Sequence, residues 1–215
     1  MIGRIKIWEP QGKPQGTIIF LHGFGDSHRL FMPLAKKLVL PHPVRMIFPE
    51  ASRKYFPADG KLKRAWFAAT ANDIYGKASS FVESAKAVEA IKNLVHEEQS
   101  QGIDARKIIT IGFSQGGSLA LACALAFHLG GVAAIAAFLR PESIERKVDQ
   151  TLNSILMLHG HKDNVVPIGH GRDTAEQLKG MGMDVRWRSY EGMGHELKED
   201  IIQDIQTWLT AILEG

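Results

Sequence analysis

The segment Ile108-Ile109-Thr110-Ile111-Gly112-Phe113-Ser114-Gln115-Gly116-Gly117-Ser118-Leu119 decides the fold of this chain. It opens as a β-branched apolar run, passes through Gly-x-Ser-x-Gly at Gly112, Ser114 and Gly116, and continues as an Ala/Leu-rich helical pattern. A serine on a sharp strand-to-helix turn is held in a strained conformation with its hydroxyl exposed, and a Cβ at either flanking glycine would collide with neighbouring backbone. The helix that follows points its N-terminus, with unpaired N–H groups and its positive dipole end, toward the serine. Negative charge developing at that hydroxyl is therefore stabilised where chemistry would occur.

Working outward, short apolar runs predict strands at Ile5–Trp8, Thr17–Leu21, Val44–Phe48, Ile108–Phe113, Val132–Phe138, Ile155–Leu158 and Val185–Tyr190. Helical patterns fall between most of them, at Leu30–Leu40, Phe81–Gln99, Gln115–Phe127, about 169–178 and Lys198–Leu213. Strands alternating with helices predict an α/β fold, a mostly parallel central sheet covered by helices on both faces. The helix after Ser114 is apolar nearly all round and belongs at the centre. No repeat, low-complexity tract or linker divides residues 1–215, which read as one domain of a size that buries roughly 70% of its unfolded surface. The longest irregular stretch, Pro49 to about Ser79, is long for a compact domain and is a candidate pocket wall.

Composition narrows the function classes. Hydrophobic content of 45%, charged content of 23% and a net charge of +3 are ordinary for a soluble globular protein. Basic residues form no block and are not interleaved with aromatics, so nothing points to nucleic acid. The single cysteine, Cys123, forms no internal disulfide and reads as a small core residue of the helix after Ser114. No apolar run reaches the 18 or so residues of a membrane span, and residues 1–8 alternate like a strand rather than a signal peptide, so a cytoplasmic protein is expected.

Chemistry gathers on four loops that follow strand ends, where open parallel sheets place their ligands. Leu21-His22-Gly23-Phe24-Gly25-Asp26 is suited to present the Phe24 N–H to an oxyanion, paired with the N–H of Gln115, the residue after the serine. His22 reads as a buried, hydrogen-bonded orienter of this loop. In His159-Gly160-His161-Lys162-Asp163, the aspartate can accept a hydrogen bond from an imidazole and fix its tautomer. The His159-x-His161 pair has no third ligand at metal spacing, so no metal is expected. His195, on the glycine-flanked loop Tyr190-Glu191-Gly192-Met193-Gly194-His195-Glu196, can reach across to the serine. Alone, Asp163 reads as a turn residue and His195 as plain surface. Their serial order with Ser114, each after its own strand, is that of a nucleophile–acid–base triad.

These motifs resemble the acyl-protein thioesterase/carboxylesterase (phospholipase/carboxylesterase) family of small α/β-hydrolases, from about Thr17 to the C-terminus and with minimal lid. The resemblance implies hydrolysis of carboxylic esters or acyl thioesters without a cofactor. It assigns Ser114 as nucleophile, His195 as base, Asp163 as its orienter, and the Phe24 and Gln115 amides as oxyanion hole. Small-molecule esters or acyl thioesters are the implied substrates, with acylated protein or a lysophospholipid as further possibilities. Trp66, Phe67, Phe138 and Leu139 are candidates to line the acyl pocket. Two departures stand out: Trp66-Phe67-Ala68 lacks the acidic residue that usually follows the aromatic pair, and Phe138-Leu139-Arg140-Pro141 gains a cation. With the basic run Arg53, Lys54, Lys61, Lys63 and Arg64, Arg140 shifts the expected pocket potential positive, which suits a substrate carrying carboxylate or phosphate. A peptidase or amidase on the same scaffold, or a ligand-binding homologue without catalysis, are the alternatives; oligomeric state does not follow from the sequence.

Overall fold

A computed structural model describes residues 2–56, 60–68, 79–139 and 153–215, without the side chains of 79–83. Among them seven strands build one sheet: β1 (Ile2–Trp8), β2 (Gly16–Leu21), β3 (Val44–Ala51), β6 (Ile108–Phe113), β7 (Gly131–Ile135), β8 (Ser154–Gly160) and β9 (Asp184–Tyr190). Their spatial order is β1-β3-β2-β6-β7-β8-β9. Only the edge strand β1 runs antiparallel to its neighbour; every other pairing is parallel. β6, the strand leading to Ser114, therefore lies at the middle of the sheet.

Alternation along the buried strands sorts side chains to two faces. Ile19, Leu21 and Ile108 face the helices α2 (Ser79–Ser100), α3 (Gln115–Ala126) and α4 (Ile168–Gly180), which contribute Ile91, Leu94, Leu119, Cys123, Ala175 and Leu178. Ile18, Phe20, Ile109 and Ile111 face α1 (Met32–Ala35) and α5 (Asp200–Glu214), where Ile201, Ile205, Trp208 and Leu209 complete the second core. Helix α3 is central, with nine buried residues including both polar-end glycines and Cys123. Full burial pushes the Cys123 thiol far up from its ordinary value, which makes it inert core.

Three expectations are corrected. The helix expected over Leu30–Leu40 is only a 3-10 turn at His28–Leu30 followed by α1. Beyond Leu38 the backbone turns to α5 for partners: Val39 N–H donates to Gln206 Oε1 at 2.8 Å, and Pro41 disfavours helix at the residue before it. The strand expected to run to Phe138 stops at Ile135, because Ala136 adopts φ +50° and sends its N–H to Leu158 C=O at 2.9 Å. The stretch expected to be irregular from Pro49 carries β3 on to Ala51 and then a hairpin, β4 (Arg53–Phe56) and β5 (Lys61–Arg64). Its charged residues hid the alternation; Phe56 is its buried anchor, edge-on to Phe24 at 4.9 Å.

The central strand contains one polar atom at odds with its surroundings. Thr110 Oγ1, on β6, is fully buried and has no hydrogen-bond partner among the described residues. An unmatched buried hydroxyl costs on the order of 1 kcal/mol or more. Thr110→Val, which keeps the branched shape, is expected to raise stability by about 1 kcal/mol, read as a higher urea midpoint at unchanged slope.

Candidate active site

The turn after β6 is set by close backbone approach. A Cβ on Gly112 would lie 2.1 Å from Gly116 O, and one on Gly116 would lie 2.0 Å from Leu21 O. With no side chain at either position, α3 starts directly against β6 and β2, and Ser114 is forced to φ 52°, ψ −118°. A non-glycine residue there stores roughly 1–3 kcal/mol of strain. Ser114 N–H is held by Ile135 C=O at 2.8 Å, and its carbonyl accepts from Ser118 N–H at 3.0 Å. The backbone is thus fixed on both sides, and the serine is left partly exposed at the turn.

His195 reaches that hydroxyl from the loop between β9 and α5. Its Nε2 lies 3.0 Å from Ser114 Oγ and its Nδ1 lies 2.8 Å from Asp163 Oδ2. An ionised carboxylate only accepts, so Nδ1 carries the proton and Nε2 is free to accept from the serine. The loop is positioned by contact with the β8 end: a Cβ on Gly160 would meet Met193 O at 2.1 Å, and Lys162 N–H donates to Met193 C=O at 2.9 Å. Phe113 supports the imidazole, ring centroids 4.8 Å apart.

Asp163 is buried, and burial alone would raise its pKa. Hydrogen bonds outweigh burial. His159 and His195 side chains and the Val166 N–H hold the carboxyl well below the usual aspartate range. Oδ1 accepts the Val165 and Val166 N–H groups at 2.9 and 2.8 Å. His159 is a participant the sequence reading missed: it is 1% exposed, with Nε2 2.8 Å from Val166 C=O and 3.4 Å from Asp163 Oδ2. Its neighbour His161 is exposed and turned toward Ser189 Oγ at 3.1 Å, so the His-x-His pair diverges. Among the described residues no group of three His, Cys, Asp or Glu could hold a metal.

The loop after β2 is fixed by its buried histidine. His22 Nε2 accepts from Ala51 N–H at 3.0 Å, which leaves the proton on Nδ1, 2.7 Å from Gly23 C=O. Burial lowers the His22 pKa, in keeping with this neutral tautomer. Gly25, at φ +80°, turns the chain so that its N–H meets Arg64 C=O at 2.8 Å. Neither Phe24 N–H nor Gln115 N–H has an acceptor among the described residues. Arg64 is in turn paired with the buried Glu50 at 3.0 Å, and Glu50 also accepts from His28 Nδ1 at 2.6 Å.

The pocket candidates divide. Phe138 and Phe67 are half-buried; Phe138 C=O accepts from Ser118 Oγ at 2.7 Å and its ring lies 5.3 Å from that of His170. Leu139 is buried, with its N–H on Thr174 Oγ1 at 3.0 Å. Trp66 does not line an open pocket as expected: it is 0% exposed, enclosed in the core with its indole N–H on His22 C=O at 2.9 Å. Arg140 lies outside the described residues. The basic run is the β4–β5 hairpin, with Lys63 Nζ 5.3 Å from the Phe24 ring centroid.

Two outcomes follow from this geometry. Gly116→Ala, which drives a methyl into Leu21 C=O, is expected to cost about 3 kcal/mol in urea unfolding. Asp163 contributes stability that is full above its unfolded value of about 3.9 and is lost as pH falls through its lower folded value. Asp163→Asn is therefore expected to flatten the fall in stability below about pH 4, measured by denaturant midpoints at successive pH values.

Comparison with known proteins places the fold and the family. The sequence model of the phospholipase/carboxylesterase family matches residues 3–213. A mouse lysophospholipase-like protein 1 is 28% identical over 96% of this chain and 90% of its own length. A rice protein named as a probable inactive carboxylesterase is 28% identical over 91% of this chain and 84% of its own. The crystal structure of maize acyl-protein thioesterase 2 superposes with a TM-score of 0.82 at 26% identity, covering 98% of this chain and 99% of that one. The architecture is the α/β-hydrolase fold, and the chain belongs to the phospholipase/carboxylesterase family.

Proposed function

We propose that this protein hydrolyses carboxylic esters or acyl thioesters through a covalent acyl-serine on Ser114, with His195 as base, Asp163 as its orienter and the Phe24 and Gln115 amides as oxyanion hole. The observation that carries the reading is the continuous line from Ser114 Oγ to His195 Nε2 at 3.0 Å and from His195 Nδ1 to Asp163 at 2.8 Å.

In the first half-reaction Ser114 Oγ attacks the acyl carbon while its proton passes to His195 Nε2. The carbonyl oxygen becomes an oxyanion that takes hydrogen bonds from the Phe24 and Gln115 N–H groups, helped by the positive end of α3. Asp163, held ionised, stabilises the imidazolium. The imidazolium returns the proton to the departing alcohol or thiol, and the carbon–oxygen or carbon–sulfur bond breaks. Water then attacks the acyl-serine, giving its proton to His195, and releases the acid and free Ser114.

The preferred substrate class is an acyl ester or thioester of a small molecule, an acylated protein or a lysophospholipid. The cations of the β4–β5 hairpin beside Phe24 favour a leaving group or acyl chain with a carboxylate or phosphate. The rice relative named as a probable inactive carboxylesterase is the observation behind a second reading, a homologue without catalysis.

Hydrolysis of p-nitrophenyl esters from acetate to palmitate, beside a matched acyl-thioester series and an anionic ester, separates these readings. Labelling of Ser114 by a fluorophosphonate and a fall in kcat of more than about 10⁴-fold in Ser114→Ala are expected. An unlabelled wild-type protein without turnover would favour the homologue without catalysis. Full activity in Ser114→Ala would overturn the assignment altogether.

A further inference from the structure

We infer that the Gln115 side chain and Trp66 together form a positioning brace that locks the two N–H donors of the oxyanion hole to each other. This rests on the acyl-serine reading above.

The brace is continuous and buried. Gln115 is 8% exposed, and its side chain spans two backbone groups of another segment: Oε1 accepts from Trp66 N–H at 2.9 Å, and Nε2 donates to Phe67 C=O at 2.9 Å. Trp66, completely enclosed, sends its indole N–H to His22 C=O at 2.9 Å. His22 lies two residues before Phe24 in the loop that presents the second donor. The residue that supplies one N–H thus holds, through its own side chain, the backbone of the residue whose indole holds the loop supplying the other. The ring centroids of His22 and Trp66, 5.1 Å apart, reinforce the same contact. A second tether meets the far end of the loop, where Gly25 N–H donates to Arg64 C=O at 2.8 Å, one residue before Ala65-Trp66.

The physical need for such a brace is clear. The two donors sit on loops after β2 and β6, and strand pairing ends at Leu21 and Gly112. Beyond those residues nothing in the ladder fixes their separation. An oxyanion needs both donors at 2.7–3.1 Å, and a misplacement of roughly 1 Å costs on the order of 10²-fold. Both side chains of the brace hydrogen-bond backbone groups and neither touches the reacting atoms, so they are positioning residues.

Gln115→Ala keeps the Gln115 N–H and removes the side-chain tether; Trp66→Phe keeps an enclosed aromatic ring and removes only the indole donor. Each variant and the double variant are assayed on a p-nitrophenyl ester, with active sites counted by fluorophosphonate titration so that unfolded protein does not enter the rate. The expected result is a fall in kcat per active site of about 10–100-fold for Gln115→Ala and about 5–10-fold for Trp66→Phe. KM stays within about threefold, because substrate binding is not what the tether serves. The double variant is expected to be no slower than Gln115→Ala by more than about twofold, since both cut one chain. Wild-type kcat per active site in both single variants, or fully multiplicative losses in the double variant, would overturn the brace while leaving the acyl-serine reading intact. Absence of wild-type labelling at Ser114 would instead remove the reading on which it rests.

Discussion

The contact on which the rest of the structure depends is the one between Gly116 and the carbonyl of Leu21. It brings the first turn of α3 against the end of β2, and the matching approach of Gly112 to Gly116 closes the other side. Any Cβ at these points would sit about 2 Å from backbone atoms, a distance no packing rearrangement absorbs. Because the chain cannot widen here, Ser114 takes the positive φ that the turn demands. Strain at the serine is the consequence of packing between strands and helix, and the two buried faces of the sheet supply the energy that holds it.

Charge is arranged around that serine in a graded way. Asp163 lies in the protein interior, yet it is kept ionised because peptide N–H groups and two imidazoles surround its oxygens. The ionised carboxylate fixes the His195 tautomer, and the tautomer aims an unprotonated nitrogen at Ser114. His22 and His159 serve differently. Both are buried; His22 spends both ring nitrogens, and His159 its Nε2, on fixed backbone groups, so they tie loops in place. Each of the four loops is tied to a neighbour by a hydrogen bond: Ser114 to Ile135, His22 to Ala51, Asp163 to His195 and Lys162 to Met193.

The β4–β5 hairpin shows how a surface element is joined to such a centre. Its single buried aromatic, Phe56, meets Phe24, while Arg64 hands its guanidinium to Glu50 and its carbonyl to Gly25. The residues that follow, Trp66 and Phe67, are hydrogen-bonded to Gln115 and His22. A segment that looks like a polar excursion in the sequence is therefore tied to the turn that carries Ser114.

How much of this was legible beforehand depends on the range of the interaction. Strand and helix periodicity, the Gly-x-Ser-x-Gly turn, and the order Ser114, Asp163, His195 are local or serial features, and they were enough to specify a parallel α/β sheet and the three residues that the fold brings into line. The hairpin was not legible because Lys61-Leu62-Lys63-Arg64 carries no apolar alternation, and its pairing partner lies across a turn. The short α1 was overestimated because its apolar spacing says nothing of Gln206, which takes the backbone groups at Val39. His159 read as half of a doubtful metal pair, and Trp66 as pocket lining, because alternation at a strand end and enclosure by a distant loop are properties of packing. The sequence by itself determined the parallel α/β architecture and the serial order of Ser114, Asp163 and His195, each after its own strand; only the tertiary structure decided which polar groups meet, because hydrogen bonds across 32 and 81 residues of chain depend on distances that exist only after the sheet has closed.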